Sequence, residues 1–233
     1  MADADEMPIA RLLPMTSNNS SFSISSARNG RIDVRPAADG WQVYVGGYDQ
    51  STDYCSDMWR QALRFVPARA RVKRVLMLGL GAGVALPHVF ARFPESRVTV
   101  VEWDPAMVEV AERAGYVSTE RLPDVLVGDA ADIVPSLGET FDLILVDLFR
   151  GDRAAPILEQ SAFVRALAAR LRPHGFLLLN YFKSRRARRA FDAVLGRYAE
   201  WRFAYNGLAA YRPVSGGVHP PSSSGFFARL FNK

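Results

Sequence analysis

The chain is poor in cysteine and histidine, with a single cysteine, Cys55, and three histidines among 233 residues. One cysteine excludes an internal disulfide framework and any zinc site built from several cysteines, and we expect no bound metal. Long apolar runs are also missing, since none approaches the roughly 20 residues that a membrane-spanning helix requires. The first 30 residues carry acidic side chains and lack the apolar segment of a secretory signal. These absences favour a protein of the cytoplasm that has no membrane contact.

Neither sign of charge dominates, because 29 Lys and Arg residues stand against 24 Asp and Glu residues, a net charge of +5. Much of the excess lies at residues 183–189, where the sequence is Lys-Ser-Arg-Arg-Ala-Arg-Arg. No aromatic residues alternate with these cations, as they would in a groove that binds single-stranded nucleic acid. We therefore interpret the segment as the exposed start of a helix and expect no nucleic-acid partner.

The N-terminal third of the chain divides into two parts. Residues 1–21 are polar and irregular, which predicts a flexible leader. Residues 22–70 contain three short stretches of alternating apolar and polar side chains with glycine between them, followed by a helical pattern at 53–65. This order predicts a small antiparallel β-sheet and a helix.

Residues 71–212 alternate between apolar strand patterns and helical patterns, with a helix expected at 105–114, another at 157–171 and a basic helix running to about Glu200. The predicted strands are 75–78, 98–101, 125–127, 143–146 and 176–179. A closing hairpin is expected around Asn206-Gly207. The alternation predicts an α/β fold with an open, doubly wound and mostly parallel sheet. Residues 213–233 are expected to form a linker and a short apolar tail.

In such a sheet, ligands bind beyond the carboxyl ends of the strands, where the strand order reverses. The first predicted strand is followed by Gly79, Gly81 and Gly83, which allow a sharp turn and a close approach of backbone to ligand. The spacing differs from the dinucleotide fingerprint, because Val84 stands where its last glycine would be. The Gly-Lys-Ser/Thr of a phosphate-binding P-loop is also missing.

Acidic residues follow the next three predicted strands in turn: Glu102, then Asp129 with Ala130, then Asp147. A carboxylate at the second strand is suited to ribose hydroxyls, and one at the third to an adenine amino group. Negative walls disfavour polyphosphates and favour a positively charged nucleoside such as a sulfonium. The pattern therefore predicts a pocket for a cationic adenosyl ligand.

Taken together, these motifs resemble those of class I S-adenosylmethionine-dependent transferases, and most closely the spermidine synthase (polyamine aminopropyltransferase) family. The segments that carry the resemblance are 79–83, 101–104, 128–130, 142–147 and, in the N-terminal part, 43–52. The resemblance covers about residues 28–212. It implies a methyltransferase-like Rossmann fold preceded by a small antiparallel sheet. It also implies a role in polyamine biosynthesis, and a homodimer.

The resemblance also implies roles for individual residues. Gln50, Glu102, Asp129 and Ala130, with the three glycines, would hold S-adenosylmethionine or its decarboxylated form as co-substrate. Asp147 would deprotonate an attacking amine. Trp59 stands where the family has a tyrosine near the acceptor.

Asp152 and Tyr181 complete the expected acceptor site, which also departs from the family pattern at Ala82 and Arg150. Asp152 stands near, but not at, the position of a second amine-binding acid, which Arg150 occupies here. Ala82 replaces an aspartate that would pair with the aminopropyl ammonium. Tyr181 lies just after the fifth strand and is expected to line the acceptor pocket, with its neighbours Asn180 and Phe182.

Three functions are compatible with these residues. The first is a spermidine synthase-like transferase that moves an aminopropyl group to an amine in an altered pocket. The second is a methyltransferase that uses S-adenosylmethionine, for which Ala82 is no obstacle. The third is a non-catalytic member of the fold that binds a nucleoside or a partner. In the enzymatic cases the partner would be a small amine or another nucleophilic acceptor.

Overall fold

A computed structural model describes residues 20–38, 40–117 and 121–214. The predicted leader and tail fall outside these residues, except for two residues of each. The N-terminal part forms one antiparallel sheet in the order β1-β2-β3-β4, followed by a helix. Its elements are β1 (Phe22–Ser26), β2 (Gly30–Ala37), β3 (Gly40–Val45), β4 (Tyr48–Asp49) and α1 (Asp53–Leu63). The small sheet and the helix are therefore confirmed.

The α/β part follows the predicted alternation. In chain order it comprises β5 (Arg74–Leu78), α2 (Leu86–Arg92), β6 (Arg97–Glu102), α3 (Pro105–Arg113), β7 (Asp124–Val127), α4 (Ala130–Ser136), β8 (Phe141–Val146), β9 (Phe149–Arg150), β10 (Arg153–Ala154), a 3₁₀ helix (Pro156–Glu159), α5 (Ser161–Ala168), β11 (Leu171–Asn180), α6 (Arg185–Asp192), β12 (Gly196–Phe203) and β13 (Asn206–Arg212). Within the described residues, no helix is long and apolar enough to cross a bilayer.

Seven of these strands form one central sheet in the order β12-β13-β11-β8-β5-β6-β7. The pairs β11–β8, β8–β5, β5–β6 and β6–β7 are parallel, whereas β13 is antiparallel to both of its neighbours. The chain leaves β5 toward β6 and β7 and then returns to β8 on the other side of β5. Strand order therefore reverses between β5 and β8, and the predicted doubly wound, mostly parallel sheet is confirmed.

Buried side chains cover both faces of this sheet. One cluster packs α1 and α2 against one face, and a second packs α5 and α6 against the other. A third cluster joins the N-terminal sheet to α3 and includes Ala82 and Val84 of the glycine loop. The N-terminal sheet is thereby held over the carboxyl end of β5, which is the edge where the predicted ligand site lies.

The C-terminal half corrects three predictions. The helix expected at 157–171 is split into a 3₁₀ turn and α5, and β11 already begins at Leu171. Pro173 is tolerated in β11 because the pairing with β8 is interrupted between Leu171 and Phe176. The basic helix, expected to run to about Glu200, ends at Asp192. Residues 196–200 belong to β12 instead.

The closing hairpin also turns two residues earlier than predicted. Phe203 pairs with Asn206, so the turn is Ala204-Tyr205, with Ala204 at φ +45°. Gly207 instead lies in β13, where a Cβ would overlap the ring of Tyr181. The glycine is thus required by side-chain packing, and the Asn-Gly pair is not the turn.

Candidate active site

The carboxyl ends of β5, β6, β7 and β8 converge on two adjoining cavities. The larger has a volume of about 380 Å³ and the smaller about 360 Å³, each within the range of small-molecule sites. Trp103, Leu148 and Phe149 line both cavities. The larger is also lined by the sequence-predicted residues Gln50, Trp59, Gly79, Gly81, Glu102 and Asp147. The structure therefore brings most of the predicted site residues together.

The three loop glycines have different surroundings. A Cβ on Gly79, at φ +86°, would overlap the backbone carbonyl of Asp147, so this glycine lets β5 and β8 end side by side. A Cβ on Gly83 would lie 2.8 Å from the Cβ of Tyr116, and Gly83 does not line the larger cavity. A Cβ on Gly81 would meet no atom within 4 Å. Gly81 is thus the loop glycine that leaves room for a ligand.

Glu102 ends β6 with a buried carboxylate that the glycine loop holds in place. The backbone N–H of Leu80 donates to Oε2 at 2.7 Å, and that of Asp104 donates to Oε1 at 3.0 Å. Burial raises the pKa of Glu102, and these two hydrogen bonds oppose the rise. Each oxygen keeps a further lone pair, so the carboxylate can still accept from two ligand hydroxyls.

Asp147 follows β8 at the floor of the larger cavity. The indole Nε1 of Trp59 donates to its Oδ2 at 3.0 Å, and Nδ2 of Asn180 donates to its Oδ1 at 2.9 Å. Burial raises the pKa of Asp147 to about 6, although both hydrogen bonds favour the charged form. Trp59 lines the larger cavity while its only polar atom is bound to this carboxylate, and its contact with an acceptor stays a prediction.

A polar chain that the sequence reasoning missed continues from Asn180. Nδ2 of Asn206 donates to Oδ1 of Asn180 at 2.9 Å, and the hydroxyl of Tyr54 lies 2.6 Å from Oδ1 of Asn206. Asn180 and Asn206 are both buried. Tyr54 lies on α1, Asn180 on β11 and Asn206 on β13. The contact between the two asparagines depends on the antiparallel pairing of β13 with β11, which the sequence pattern does not specify. The burial of two asparagines next to each other at the end of a strand indicates a polar site, and this juxtaposition is visible only once the fold is known.

Tyr181 does not line the larger cavity, in contrast to the prediction. Its hydroxyl donates to Oε1 of Glu200 at 2.7 Å, and its ring packs against Gly207. Successive residues at a strand end point to opposite sides, so Asn180 and Phe182 line the cavity while Tyr181 faces away. Phe182 has a left-handed φ of +50°, and its N–H donates to Oδ1 of Asn180 at 3.1 Å.

The smaller cavity contains Asp129 and Ala130, as predicted for the third strand end. Asp129 caps α4 by accepting from the N–H of Ala131 at 2.9 Å, and its other oxygen lies 3.7 Å from the guanidinium of Arg150. The same guanidinium lies 5.0 Å from the ring centre of Trp103. The result is a slot between an indole ring and a short helix start, with one carboxylate at its edge.

The N-terminal sheet supplies the remaining wall of the larger cavity. Asn29 and Asp49 line it together with Gln50, and Asp152 lines it from the turn between β9 and β10. Asp104 fixes this wall, because its Oδ2 accepts from Oγ of Ser26 at 2.6 Å and from Nδ2 of Asn29 at 2.5 Å. Its Oδ1 caps α3 through the N–H of Ala106.

These residues fit an S-adenosyl ligand. A buried carboxylate with free lone pairs stands at the second strand end, and Gly81 leaves space above the first. The adjoining slot offers the indole ring of Trp103 and the carboxylate of Asp129, which suit the ring and the amino group of an adenine. Within the described residues, no three His, Cys, Asp or Glu side chains are grouped closely enough to hold a metal ion.

The sheet order and the cleft at its carboxyl edge are those of the class I methyltransferase-like fold. A methyltransferase-domain family model matches residues 75–175. The polyamine aminopropyltransferase of Vibrio vulnificus (strain CMCP6) is 32% identical over 116 residues, which cover 48% of this chain and 38% of that protein. An eEF1A lysine and N-terminal methyltransferase homolog of Drosophila melanogaster is 35% identical over 85 residues, 35% of this chain and 13% of that protein. The chain thus spans well under half the length of these relatives.

Solved structures agree on the fold. A probable spermidine synthase from Corynebacterium glutamicum ATCC 13032 superposes with a TM-score of 0.64 at 19% identity, covering 84% of this chain and 81% of that one. A spermidine synthase in complex with the transition-state analogue AdoDATO gives a TM-score of 0.65 at 18% identity, covering 82% and 72%. At these identities the likeness establishes the fold alone.

Proposed function

We propose that the protein is a transferase that binds an S-adenosyl donor in this cleft and transfers an alkyl group to a small nucleophilic acceptor. The observation that carries the proposal is the convergence of Gly81, Glu102 and Asp147 on one cavity, with Asp129 at the edge of the adjoining slot. The resemblance of the chain to aminopropyltransferases and methyltransferases supports it.

The donor would lie across the two cavities. Glu102 would accept from both ribose hydroxyls, and the slot beside Trp103 would take the adenine, with Asp129 accepting from its amino group. Gln50 would contact the nucleoside from the N-terminal sheet. Carboxylates on several sides would favour the positive charge of the donor.

Asp147 would receive the acceptor's proton. A bound sulfonium supplies the alkyl carbon and leaves as a neutral thioether when its carbon–sulfur bond breaks. The acceptor nitrogen forms the new bond with its lone pair, so an amine must lose one proton, and a carboxylate of pKa about 6 can accept it. Trp59 and Asn180 occupy one lone pair on each oxygen, which leaves the remaining lone pairs for this proton.

Aminopropyl transfer from decarboxylated S-adenosylmethionine to an amine is the reaction we favour, because spermidine synthases share the fold over 82–84% of this chain and this chain carries the small N-terminal sheet that the resemblance implies. Asp49 and Asp152 line this side and would pair with ammonium groups. Methyl transfer is the second candidate, because Ala82 offers no acid to an aminopropyl ammonium. We further propose a polyamine-type acceptor, a cytoplasmic location and a homodimer.

Calorimetric titration with S-adenosylmethionine, its decarboxylated form and methylthioadenosine tests the proposal. We expect methylthioadenosine and the decarboxylated donor to bind, and incubation with diamines to yield products heavier by one aminopropyl group. Preferential binding of S-adenosylmethionine with methylated products would instead establish the second candidate. Failure of all three ligands to bind would contradict both, and would favour a non-catalytic partner-binding role.

A further inference from the structure

The chain of polar side chains behind Asp147 has one direction. Oδ1 of Asn180 accepts from Nδ2 of Asn206 and from the N–H of Phe182, so its Nδ2 must be the atom that faces Asp147. A flip of the Asn180 amide would place its oxygen against a carboxylate and its nitrogen against two donors. The orientation of Asn180 is therefore fixed by its neighbours.

The same reasoning extends to Asn206 and Tyr54. Because Nδ2 of Asn206 faces Asn180, its Oδ1 faces the Tyr54 hydroxyl at 2.6 Å and accepts from it. That hydroxyl also lies near the carbonyl oxygen of Phe203, so its one proton is shared between two acceptors. The Tyr54 oxygen in turn accepts from the backbone N–H groups of Tyr205 and Asn206, each at 3.2 Å.

We propose that Asn180 and Asn206 are positioning residues, which together with Tyr54 form a one-way relay of hydrogen-bond donors that ends on Oδ1 of Asp147. The proposal rests on the proposed function of Asp147 as proton acceptor. Donation runs from Tyr54 to Asn206, from Asn206 to Asn180 and from Asn180 to the carboxylate. Donors aligned in this way polarise one another, and in a buried site they strengthen the last bond of the chain.

Two consequences follow for Asp147. The relay and Trp59 approach the two oxygens separately and fix the rotamer of the carboxylate, so that its remaining lone pairs face the cavity. The relay also stabilises the anion against the cost of burial, because every member donates toward it and none accepts from it. Asp147 thus remains ionised near neutral pH and accepts its proton on the acceptor side.

Backbone geometry indicates that the relay is built into the fold. Phe182 and Ala204 are the non-glycine residues with positive φ among those described, and they lie beside Asn180 and Asn206. The N–H of Gly207 donates to the carbonyl of Phe182 at 2.9 Å and ties the two segments together. Strained residues persist where surrounding contacts hold them, and they cluster at functional sites.

The test is a graded series of variants: Asn180→Leu, Asn206→Leu and Tyr54→Phe. The pKa of Asp147 is read by carbon-13 NMR of labelled aspartate carboxyls, with Asp147→Asn to assign the resonance. This readout needs no turnover, so failure of the proposed function and failure of the relay are distinguishable. Other groups lining the cavity that titrate or carry charge are Tyr48, Asp49, Tyr54, Cys55, Glu102, Asp152, Lys183 and Tyr205. A double variant, Asn180→Leu with Asn206→Leu, completes the series.

We expect Asn180→Leu to raise the pKa of Asp147 by about 1 to 2 units, because the lost bond favoured the charged form. Asn206→Leu is expected to raise it less, and Tyr54→Phe least. Asn206→Leu is expected to add nothing once Asn180→Leu is present, since it acts through Asn180. If the donor assay succeeds, the acid limb of the kcat/KM profile moves by the same shifts.

Ser56→Ala is the matched control. Ser56 lies on α1, as Tyr54 and Trp59 do, but its Oγ contacts Nε2 of His88 at 2.7 Å and takes no part in the relay. We expect this control to leave the titration of Asp147 unchanged. An unchanged pKa in Asn180→Leu overturns the relay, as does an Asn206→Leu shift that adds fully to it. If Asn180→Leu does not fold, the Asn206→Leu and Tyr54→Phe shifts decide, and two null results contradict the proposal.

Discussion

The loop glycines Gly79 and Gly81 offer the sharpest separation between structural and ligand-binding roles. Both have positive φ, +86° and +54°, so alanine at either position is strained. Their surroundings differ, because a Cβ on Gly79 would overlap the backbone carbonyl of Asp147, whereas a Cβ on Gly81 would enter open space. We predict that Gly79→Ala mainly lowers stability and that Gly81→Ala mainly weakens donor binding.

The magnitudes follow from these contacts. The left-handed conformation costs alanine about 1–2 kcal/mol, which for a chain of this size lowers Tm by about 2 to 8 °C. Gly79→Ala adds an overlap with backbone that cannot rotate away, worth about 1–3 kcal/mol more. Gly81→Ala places a methyl group where the donor would approach. A clash of similar size weakens binding about ten- to a hundredfold.

The assay pairs thermal unfolding of each variant without ligand with calorimetric titration of methylthioadenosine. We expect Gly79→Ala to show roughly twice the Tm loss of Gly81→Ala. We expect Gly81→Ala to bind methylthioadenosine about ten- to a hundredfold more weakly, a loss too large to result from its small decrease in stability. Wild-type affinity in Gly81→Ala would refute this placement of the ligand above the loop, and equal Tm losses would refute the role given to Gly79.

Three further predictions test the neighbouring residues. Glu102→Gln should weaken nucleoside binding by about 1–3 kcal/mol in calorimetry, because an amide cannot accept at both ends; unchanged affinity would mean that the ribose lies elsewhere. Asp104→Ala should cost about 1–3 kcal/mol in chemical denaturation, since it removes the α3 cap and the hold on Ser26; Glu112→Ala, at an exposed position of the same helix, is the control. Because the folded pKa of Asp147 lies above its unfolded value, this residue should make stability fall as pH rises from about 4 to about 6. Asp147→Asn should lack that component of the fall, and an identical pH profile would contradict it.

Much of the nucleoside side of the site could be predicted from the sequence, because parallel strands end at one edge of a sheet. A residue placed directly after a buried strand is therefore placed in space as well. This argument predicted that Glu102, Asp129 and Asp147 share one pocket. The structure places Glu102 and Asp147 on the larger cavity and Asp129 on the adjoining smaller one. The helix predicted to begin at residue 105 is likewise observed, with Asp104 as its N-cap and Pro105 at its first position.

Predictions were less successful where tertiary contacts override local pattern. The residues after Gly196 have helix-compatible composition, yet they pair with β13 as a strand. Asn206-Gly207 is a strong hairpin turn signal, but Gly207 is required to accommodate Tyr181, and this moves the turn to Ala204. Tyr181 faces away from the cavity because side chains alternate along the end of β11. The antiparallel pairing of β11 with β13 brings Asn206 beside Asn180, so the missed polar chain depends on a long-range pairing.

The three carboxylates of the cleft share one arrangement of hydrogen-bond and charge partners. Glu102 is held by two backbone N–H groups, Asp147 by Trp59 and Asn180, and Asp129 by a helix start and Arg150. Each carboxylate is thus fixed in position by donors on its protein side and keeps lone pairs toward the ligand. Because few side chains need to move on binding, little ordering cost is expected. Under the proposed function, the departure at Ala82 would change which acceptor fits, whereas Arg150 lines the smaller cavity beside Asp129 and would belong to the donor half of the cleft.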